Sequence, residues 1–264
     1  MTLPTNAELA HQDAYRKALV LRDVGGEGQA VGSGWMSCDL PGSWADHAAG
    51  LGLDGPVSDD TLDSLVDFYR ARGRTPRIET TPHQHPSLLE GLKNRGFVPS
   101  EELHTLVVDL DQYDAAQAGV GSGLDFKRVD PACQESVESF IRSQERGFFG
   151  EESLPSGLRT IIERVVHHPR AQVWIIERDG CAVGSGGLEI FEDMAVLIGG
   201  CVHPDARGQR VHSAFIAHRL SVAAQVGLSH ASIGSLIEHT TEHNAVRAGF
   251  QVAYIQTMSE LRET

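Results

Sequence analysis

The sequence predicts an α/β protein made of two copies of one fold. Three observations carry that expectation. The second half alternates strand-like and helical runs in a regular order. The two halves close alike: LLEGLKNRGFVPSEELHTLVVDL (88–110) and HNAVRAGFQVAYIQTMSEL (243–261) each run from helix through Gly-Phe into a β-prone stretch. Between them DAAQAGVGSG (114–123) is small, flexible and poor in apolar residues, as a linker is. The expected division is residues 1–118 and 122–264, and both parts are long enough to bury a core.

In the first half KALVLRDV (17–24) and QAVGSGWMSC (29–38) read as strands. Ser58 is the expected N-cap of a helix over 58–73. A strand over 77–82 and a helix over 86–96 follow, and Gly96 sits where a helix C-cap favours a left-handed residue. In the second half a strand (124–130) leads into helices over 131–147, opened by Pro131, and 156–168. Residues 171–191 form a hairpin turning at Asp179-Gly180. Then come a strand (194–203), a helix (206–227) ended by Gly227, a strand (230–237), a short helix (241–249) and a last strand (251–261). The order is β-α-α-β-β-β-α-β-α-β.

Composition narrows the function. Hydrophobic residues make up 41% and charged residues 22%, as in an ordinary globular protein. The net charge is −14, and both halves are acidic: 9 Lys/Arg against 18 Asp/Glu up to residue 120, then 13 against 18. No basic face is available for phosphate backbones, so no nucleic-acid partner is expected. Acidity attracts a cationic substrate weakly, or serves only solubility. The start has no basic region followed by an apolar run, and no stretch is long enough to span a bilayer, so neither a leader nor a membrane partner is expected. Cys38, Cys133, Cys181 and Cys201 are scattered, which fits reduced thiols in a cytoplasmic protein. Cys201, ending an apolar strand, reads as a buried structural thiol rather than a nucleophile. His83/His85 and His167/His168 lack a second ligand pair, so no metal site is expected. There is no GxSxG.

The stretch HPDARGQRVHSAFIAHRL (203–220) carries the chemistry. It follows a strand and opens a helix. The first N–H groups of a helix have no internal partners, and the dipole adds positive charge there, so this junction suits an anion. Arg207 adds a fixed charge, Gly208 permits close approach, and Arg210 supplies a second cation. Backbone N–H groups hold a phosphate whatever the side chain, and helical φ at 210 and 212 needs no glycine. The candidate grip is therefore Arg207, Gly208, Gln209, Arg210, Val211, His212 and Ser213. The alternative is a solvated Arg/His surface.

On these residues the second half, roughly 122–264, resembles the GCN5-related N-acetyltransferase (GNAT) superfamily. That family's signature is Arg-Gly-x-Gly-x-Gly/Ala after a strand and a proline. Here Pro204, Arg207 and Gly208 match, while Arg210 and His212 replace small residues. Asn244 and the Arg247-Ala248-Gly249-Phe250 ending resemble the family's second cofactor motif. The first half resembles, more weakly, the N-terminal half of bacterial tandem proteins of this superfamily. It has no Arg-Gly turn, and Asp59-Asp60 at a helix start would repel a pyrophosphate, so it reads as degenerate and without cofactor.

The resemblance implies two GNAT-like domains, each a mixed, mostly antiparallel sheet flanked by helices. It implies acetyl-CoA or another acyl-CoA as cofactor, and a small-molecule amine that attacks the thioester directly. The thioester carbonyl would meet backbone N–H groups near Cys201 and Val202, beside Gly199-Gly200. The tyrosine that protonates the leaving thiolate in the family is replaced by Ala245; Tyr254, or His243 with Thr241, are the substitutes on offer. Glu189 is the candidate base, or else a solvated strand carboxylate. His203 is a candidate proton shuttle, or else a surface histidine at a strand end. The departures keep open an altered acyl-thioester chemistry (decarboxylation, hydrolysis or cyclisation) and a non-catalytic acyl-CoA or partner-binding module. The oligomeric state stays open, a homodimer included.

Overall fold

The computed structural model describes residues 3–41, 43–113, 123–150 and 154–262. The proposed linker falls almost wholly at 114–122, outside the described residues. In chain order the first elements are α1 (Asn6–Val24), β1 (Glu27–Val31), β2 (Gly34–Cys38), β3 (Ala48–Ala49), α2 (Asp59–Arg70), β4 (Arg77–Thr80), α3 (Pro86–Asn94) and β5 (Phe97–Asp109). Then follow β6 (Asp125–Arg128), α4 (Gln134–Phe149), α5 (Ser156–His167), β7 (Ala171–Arg178), β8 (Cys181–Phe191) and β9 (Met194–Val202). The last are α6 (Val211–Gln225), β10 (His230–Leu236), α7 (Thr240–Arg247) and β11 (Gln251–Leu261).

The chain divides into two compact units. One comprises Pro4–His104, Pro155–Ile161 and the chain from Ala253 on; the other comprises Thr105–Leu154 and Ile162–Val252.

In the first unit the expected strand over 17–24 is instead the end of α1. Its start lies upstream, in a capping box where Thr5 Oγ1 accepts from Glu8 N (3.3 Å) and Glu8 Oε2 accepts from Thr5 N (2.8 Å). Leu9, Ala10, Asp13, Ala14, Ala18 and Leu21 are buried at helical spacing. The expected single strand over 29–38 is a hairpin, β1–β2, because Gly32 takes φ +55° and reverses the chain. Strands run in the order β1-β2-β3-β4-β11, with β3 parallel to β4 and β11 antiparallel to it. The core joins Met36, Leu51, Leu62, Leu65, Ile78 and Leu88.

The second unit follows the predicted order. Its strands run β5-β10-β9-β8-β7-β6, mostly antiparallel, with β10 parallel to β9. The hairpin turns at Asp179 (φ 52°) and Gly180 (φ 77°), as Asp-Gly predicts. Adjacent β7 residues enter different cores. Val173 and Ile175 pack with Val137, Phe140 and Ile141 of α4, while Trp174 and Ile176 pack with Phe215, Ile216 and Leu220 of α6. Neighbouring strand residues face opposite ways, so α4 and α6 cover opposite faces of this sheet. The helix expected over 206–227 is shorter. A single 3₁₀ turn at Pro204–Ala206 precedes an extended Arg207, and α6 begins only at Val211.

Candidate functional site

The junction after β9 is built as an open helix start. β9 and β10 pair in parallel from Met194/His230 to Leu197/Ile233, and both strands continue beyond that pairing. Gly208 has φ +73° with no atom within 4 Å of where a side chain would begin. Arg210, the residue before α6, is left-handed at φ +60° and ψ 14° and caps no N–H with its side chain. The first turn of α6 contains no acidic residue. Its leading N–H groups therefore have neither a side-chain cap at Arg210 nor a nearby carboxylate competing for them.

This corrects one expectation: position 210 is not helical and does favour glycine. A Cβ in the left-handed region costs about 1–2 kcal/mol, partly returned by the lower unfolded-state entropy of a non-glycine residue. Arg210→Gly is expected to raise stability by about 0.5–1 kcal/mol. A urea midpoint that rises at constant m would show it, and a midpoint that falls would mean the arginine side chain outweighs the strain.

The cations are differently placed from one another. Arg207 is turned onto the backbone, with Nη2 donating to Gly147 O (3.0 Å) and Nε to Val202 O (3.3 Å). It ties α4 to the end of β9. Gln209 donates to Asp205 O (3.0 Å) and accepts from Arg178. Asn244, on α7, reaches the first turn of α6. Its Nδ2 donates to His212 Nδ1 (3.0 Å), and its Oδ1 accepts from Ser213 Oγ (3.3 Å) and from Arg247. Ser213, His212 and Asn244 thus form one linked group, and Val211 beside them is buried core.

Burial, with Arg219 nearby, pushes His212 down to about 4, so it is neutral at pH 7. Since Nδ1 accepts from an amide NH₂, the ring proton resides on Nε2. A histidine with a lowered folded pKa binds its proton more readily when unfolded. Its contribution is complete above about 6.5 and is lost as pH falls toward 4. His47, in the other unit, is also held at about 4 by burial. Melting temperatures are therefore expected to fall between pH 6.5 and 4.5. In His212→Asn that fall should shrink by up to about 3 kcal/mol in equivalent stability. An unchanged slope would refute the assignment.

The three candidate catalytic residues each have partners of their own. Glu189, on β8, is buried and accepts from Arg170 Nε (3.1 Å), so it is no solvated carboxylate. His203 is buried rather than at the surface. Its Nε2 lies 2.9 Å from Ser143 Oγ and 3.2 Å from Ser143 O, and burial lowers its pKa. Tyr254 belongs to the first unit, where its hydroxyl donates to the buried Asp13 Oδ2 (2.9 Å). Ala245, at the position of the family's tyrosine, is buried. Cys201 is a buried thiol pushed up by burial, and its Sγ lies 3.4 Å from Ser185 Oγ. Val202 ends β9 and accepts from Arg207. Among the described residues no group of three His, Cys, Asp or Glu side chains is placed to hold a metal ion, and no helix is long and apolar enough to cross a membrane.

Two residues that sequence reasoning passed over stand at this strand, Gln144 and Arg219. Both are buried. Each had a signal: a polar residue on the apolar face of its helix, Gln144 in line with Val137 and Ile141, Arg219 one turn after Phe215.

In the first unit the corresponding helix start is closed. Ser58 Oγ accepts from Thr61 N (3.2 Å), Asp59 and Asp60 occupy the first turn of α2, and Val57 N donates to Ser87 Oγ (2.8 Å) at the start of α3.

Comparison with known proteins agrees with this architecture. The model of the Acetyltransferase (GNAT) family matches residues 136–250. No curated protein matches in sequence. Among solved structures, a GCN5-related N-acetyltransferase from Kribbella flavida is 14% identical with a TM-score of 0.71, the match covering 100% of this chain and 98% of that one. One from Sphaerobacter thermophilus is 15% identical (TM-score 0.60), covering 82% and 72%. A tandem GNAT protein from the clavulanic acid biosynthesis pathway is 15% identical (TM-score 0.58), covering 78% and 70%. The chain therefore has the fold of the GCN5-related N-acetyltransferases, and its residues 136–250 carry the sequence pattern of the acetyltransferase (GNAT) family.

Proposed function

We propose that the chain is an acyl-CoA-dependent N-acyltransferase, with acetyl the transferred group and a small-molecule amine the acceptor. The observation that carries the reading is the start of α6. It offers N–H groups without a side-chain cap from Arg210, behind a turn in which Gly208 and Arg210 are left-handed, at the end of a strand that continues past its pairing with β10. That is the arrangement a pyrophosphate needs. It lies inside the segment that matches the family. The residues from Arg207 to Ser213, with Asn244, are the proposed cofactor contacts, the backbone supplying most of them. The acidic surface suits an amine.

The first half of the chain, residues 1–118, is proposed to be a degenerate copy that takes no cofactor. Its α2 start has the Thr61 N–H capped by Ser58 and carries two carboxylates, Asp59 and Asp60. A cytoplasmic setting is proposed from four free cysteines.

Direct attack needs the amine deprotonated, the carbonyl polarised and the thiolate protonated. Peptide N–H groups near Cys201 and Val202, beside Gly199-Gly200, are the proposed carbonyl partners. Glu189 with Arg170, and His203 with Ser143, are the proposed proton-handling groups on this sheet. A second reading, altered acyl-thioester chemistry, is favoured by one observation: Ala245 leaves no acid for the thiolate there, and Tyr254 is bonded to Asp13. CoA release that needs an added amine supports the first reading, and release of CoA or CO₂ without one supports the second. The primary test is the melting temperature with acetyl-CoA and with CoA. At one hundred times its dissociation constant a ligand stabilises by about 2.7 kcal/mol. No shift with either would remove the acyl-CoA reading.

A further inference from the structure

β8 and β9 pair regularly from Gly187/Ile198 to Phe191/Met194 and again at Ser185/Cys201 and Gly184/Val202. Between these runs β8 contributes Gly186 alone, while β9 contributes Gly199 and Gly200. β9 therefore carries a one-residue bulge, with Gly199 left-handed at φ +56°.

Two side chains grip this bulge from opposite faces of the sheet. From α4, Gln144 Nε2 donates to Gly199 O (2.9 Å) and to Ser185 Oγ (2.9 Å). From α6, Arg219 Nη1 donates to Gly187 O (3.0 Å) and reaches Ile198 O (3.5 Å), while its Nε donates to Phe215 O (3.3 Å). Its guanidinium lies 4.1 Å from the centre of the Phe215 ring. A Cβ on Gly200 would stand 3.2 Å from Arg219 Nη2 and 3.5 Å from His212 Nε2, so the bare glycine lets the guanidinium close on the strand.

A trans peptide directs its C=O and N–H oppositely. Holding Ile198 O toward α6 points Gly199 N–H toward α4. Holding Gly199 O toward α4 points Gly200 N–H toward α6. The two grips therefore set both peptide planes of the bulge. Arg219 is fully buried, is bonded only to carbonyls, and its Nη2 has no partner among the described residues. A cation so expensive to bury is an unusual way to brace a strand unless the strand's geometry is used.

We propose that Gln144 and Arg219 are positioning residues that together fix the peptide planes of the β9 bulge, so that one of its N–H groups meets the carbonyl of the bound thioester. The inference rests on the acyl-CoA reading above. It predicts that the site recognises the carbonyl itself, beyond the CoA handle.

The test compares the affinities of acetyl-CoA and S-ethyl-CoA, a thioether of similar size without the carbonyl. Calorimetry on the wild-type chain is expected to show acetyl-CoA binding about tenfold more tightly. Gln144→Leu and Arg219→Met should each bring the ratio to within about twofold while S-ethyl-CoA binds as before. The double variant should lose nothing further, because either grip lost already frees the bulge. A role limited to stability would weaken both ligands alike and leave the ratio standing, which overturns the proposal. Equal affinities in the wild type overturn it too, with CoA binding intact. If neither ligand binds the wild type, the acyl-CoA reading falls and this inference with it. Should Arg219→Met not fold, Gln144→Leu decides alone.

Discussion

Lys17→Met is expected to destabilise the first unit by about 3–5 kcal/mol at pH 8. Lys17 Nζ lies 2.9 Å from both Asp13 Oδ2 and Glu79 Oε1, and it also donates to Gln256. Both carboxylates are buried. Asp13 would keep Arg16, whose Nη2 and Nε reach Oδ1 at 2.8 and 3.0 Å, and the Tyr254 hydroxyl. Among the described residues Glu79 would keep one hydrogen bond, from the Gln256 amide. The two carboxylates already differ in the intact protein. Asp13 is held well below its ordinary range: burial alone would raise it, but Lys17 and Arg16 together outweigh that. Glu79 shares only Lys17 closely, and burial raises it.

The pH dependence separates this account from a simple packing loss. Without Lys17, Glu79 would be raised further, since an unpaired buried carboxylate escapes its desolvation cost by taking a proton. A carboxylate with a raised folded pKa contributes most below its unfolded value and loses that contribution as pH rises through the folded one. The deficit of Lys17→Met relative to wild type should therefore be smaller at pH 5 than at pH 8. Adding Glu79→Gln should recover most of it at pH 8. Urea unfolding at the two pH values checks both. An equal deficit at both would mean that the methylene stem of Lys17, not its charge, is what matters.

Gly208→Asp is expected to abolish the stabilisation by acetyl-CoA, about 2.7 kcal/mol at one hundred times the wild-type dissociation constant, whereas Gly208→Asn retains most of it. Asp and Asn share one shape, and both tolerate the left-handed φ of +73° found here. Nothing lies within 4 Å of the added Cβ, so neither variant should disturb the fold. They differ only in charge, and a carboxylate at this turn opposes a pyrophosphate at the helix start that follows. Arg207 is a poorer probe because its guanidinium is tied to Gly147 and Val202, so its removal mixes structure with binding. Equal ligand-induced shifts in the two Gly208 variants would place the phosphates elsewhere.

The sequence by itself determined the local features that short-range chemistry decides. Asp179-Gly180 had to turn a hairpin, because few other pairs accept positive φ at both positions. Strand, proline, Arg-Gly and amphipathic helix in succession marked the junction at 203–213, and the element order of the second half followed from periodicity. Where a local window was ambiguous, it misled. KALVLRDV is apolar enough for a strand, but a capping box starting at Thr5 propagates a helix through it, and tertiary burial of its i, i+4 face holds it there.

Only the tertiary structure decided what lies against what. Gln144 and Arg219 are 75 positions apart (219 − 144), and they meet the same bulge only because α4 and α6 cover opposite faces of one sheet. The register slip between β8 and β9 that creates the bulge is invisible in either strand alone. Tyr254 reads in sequence as a candidate acid near the family's last motif, yet it is bonded to Asp13, 241 residues away. For Glu189 and His203 the sequence left a proton-handling group and an exposed side chain as alternatives, and packing buries both against Arg170 and Ser143. A buried polar group must find a partner wherever the fold supplies one, and distance along the chain says nothing about which partner that is.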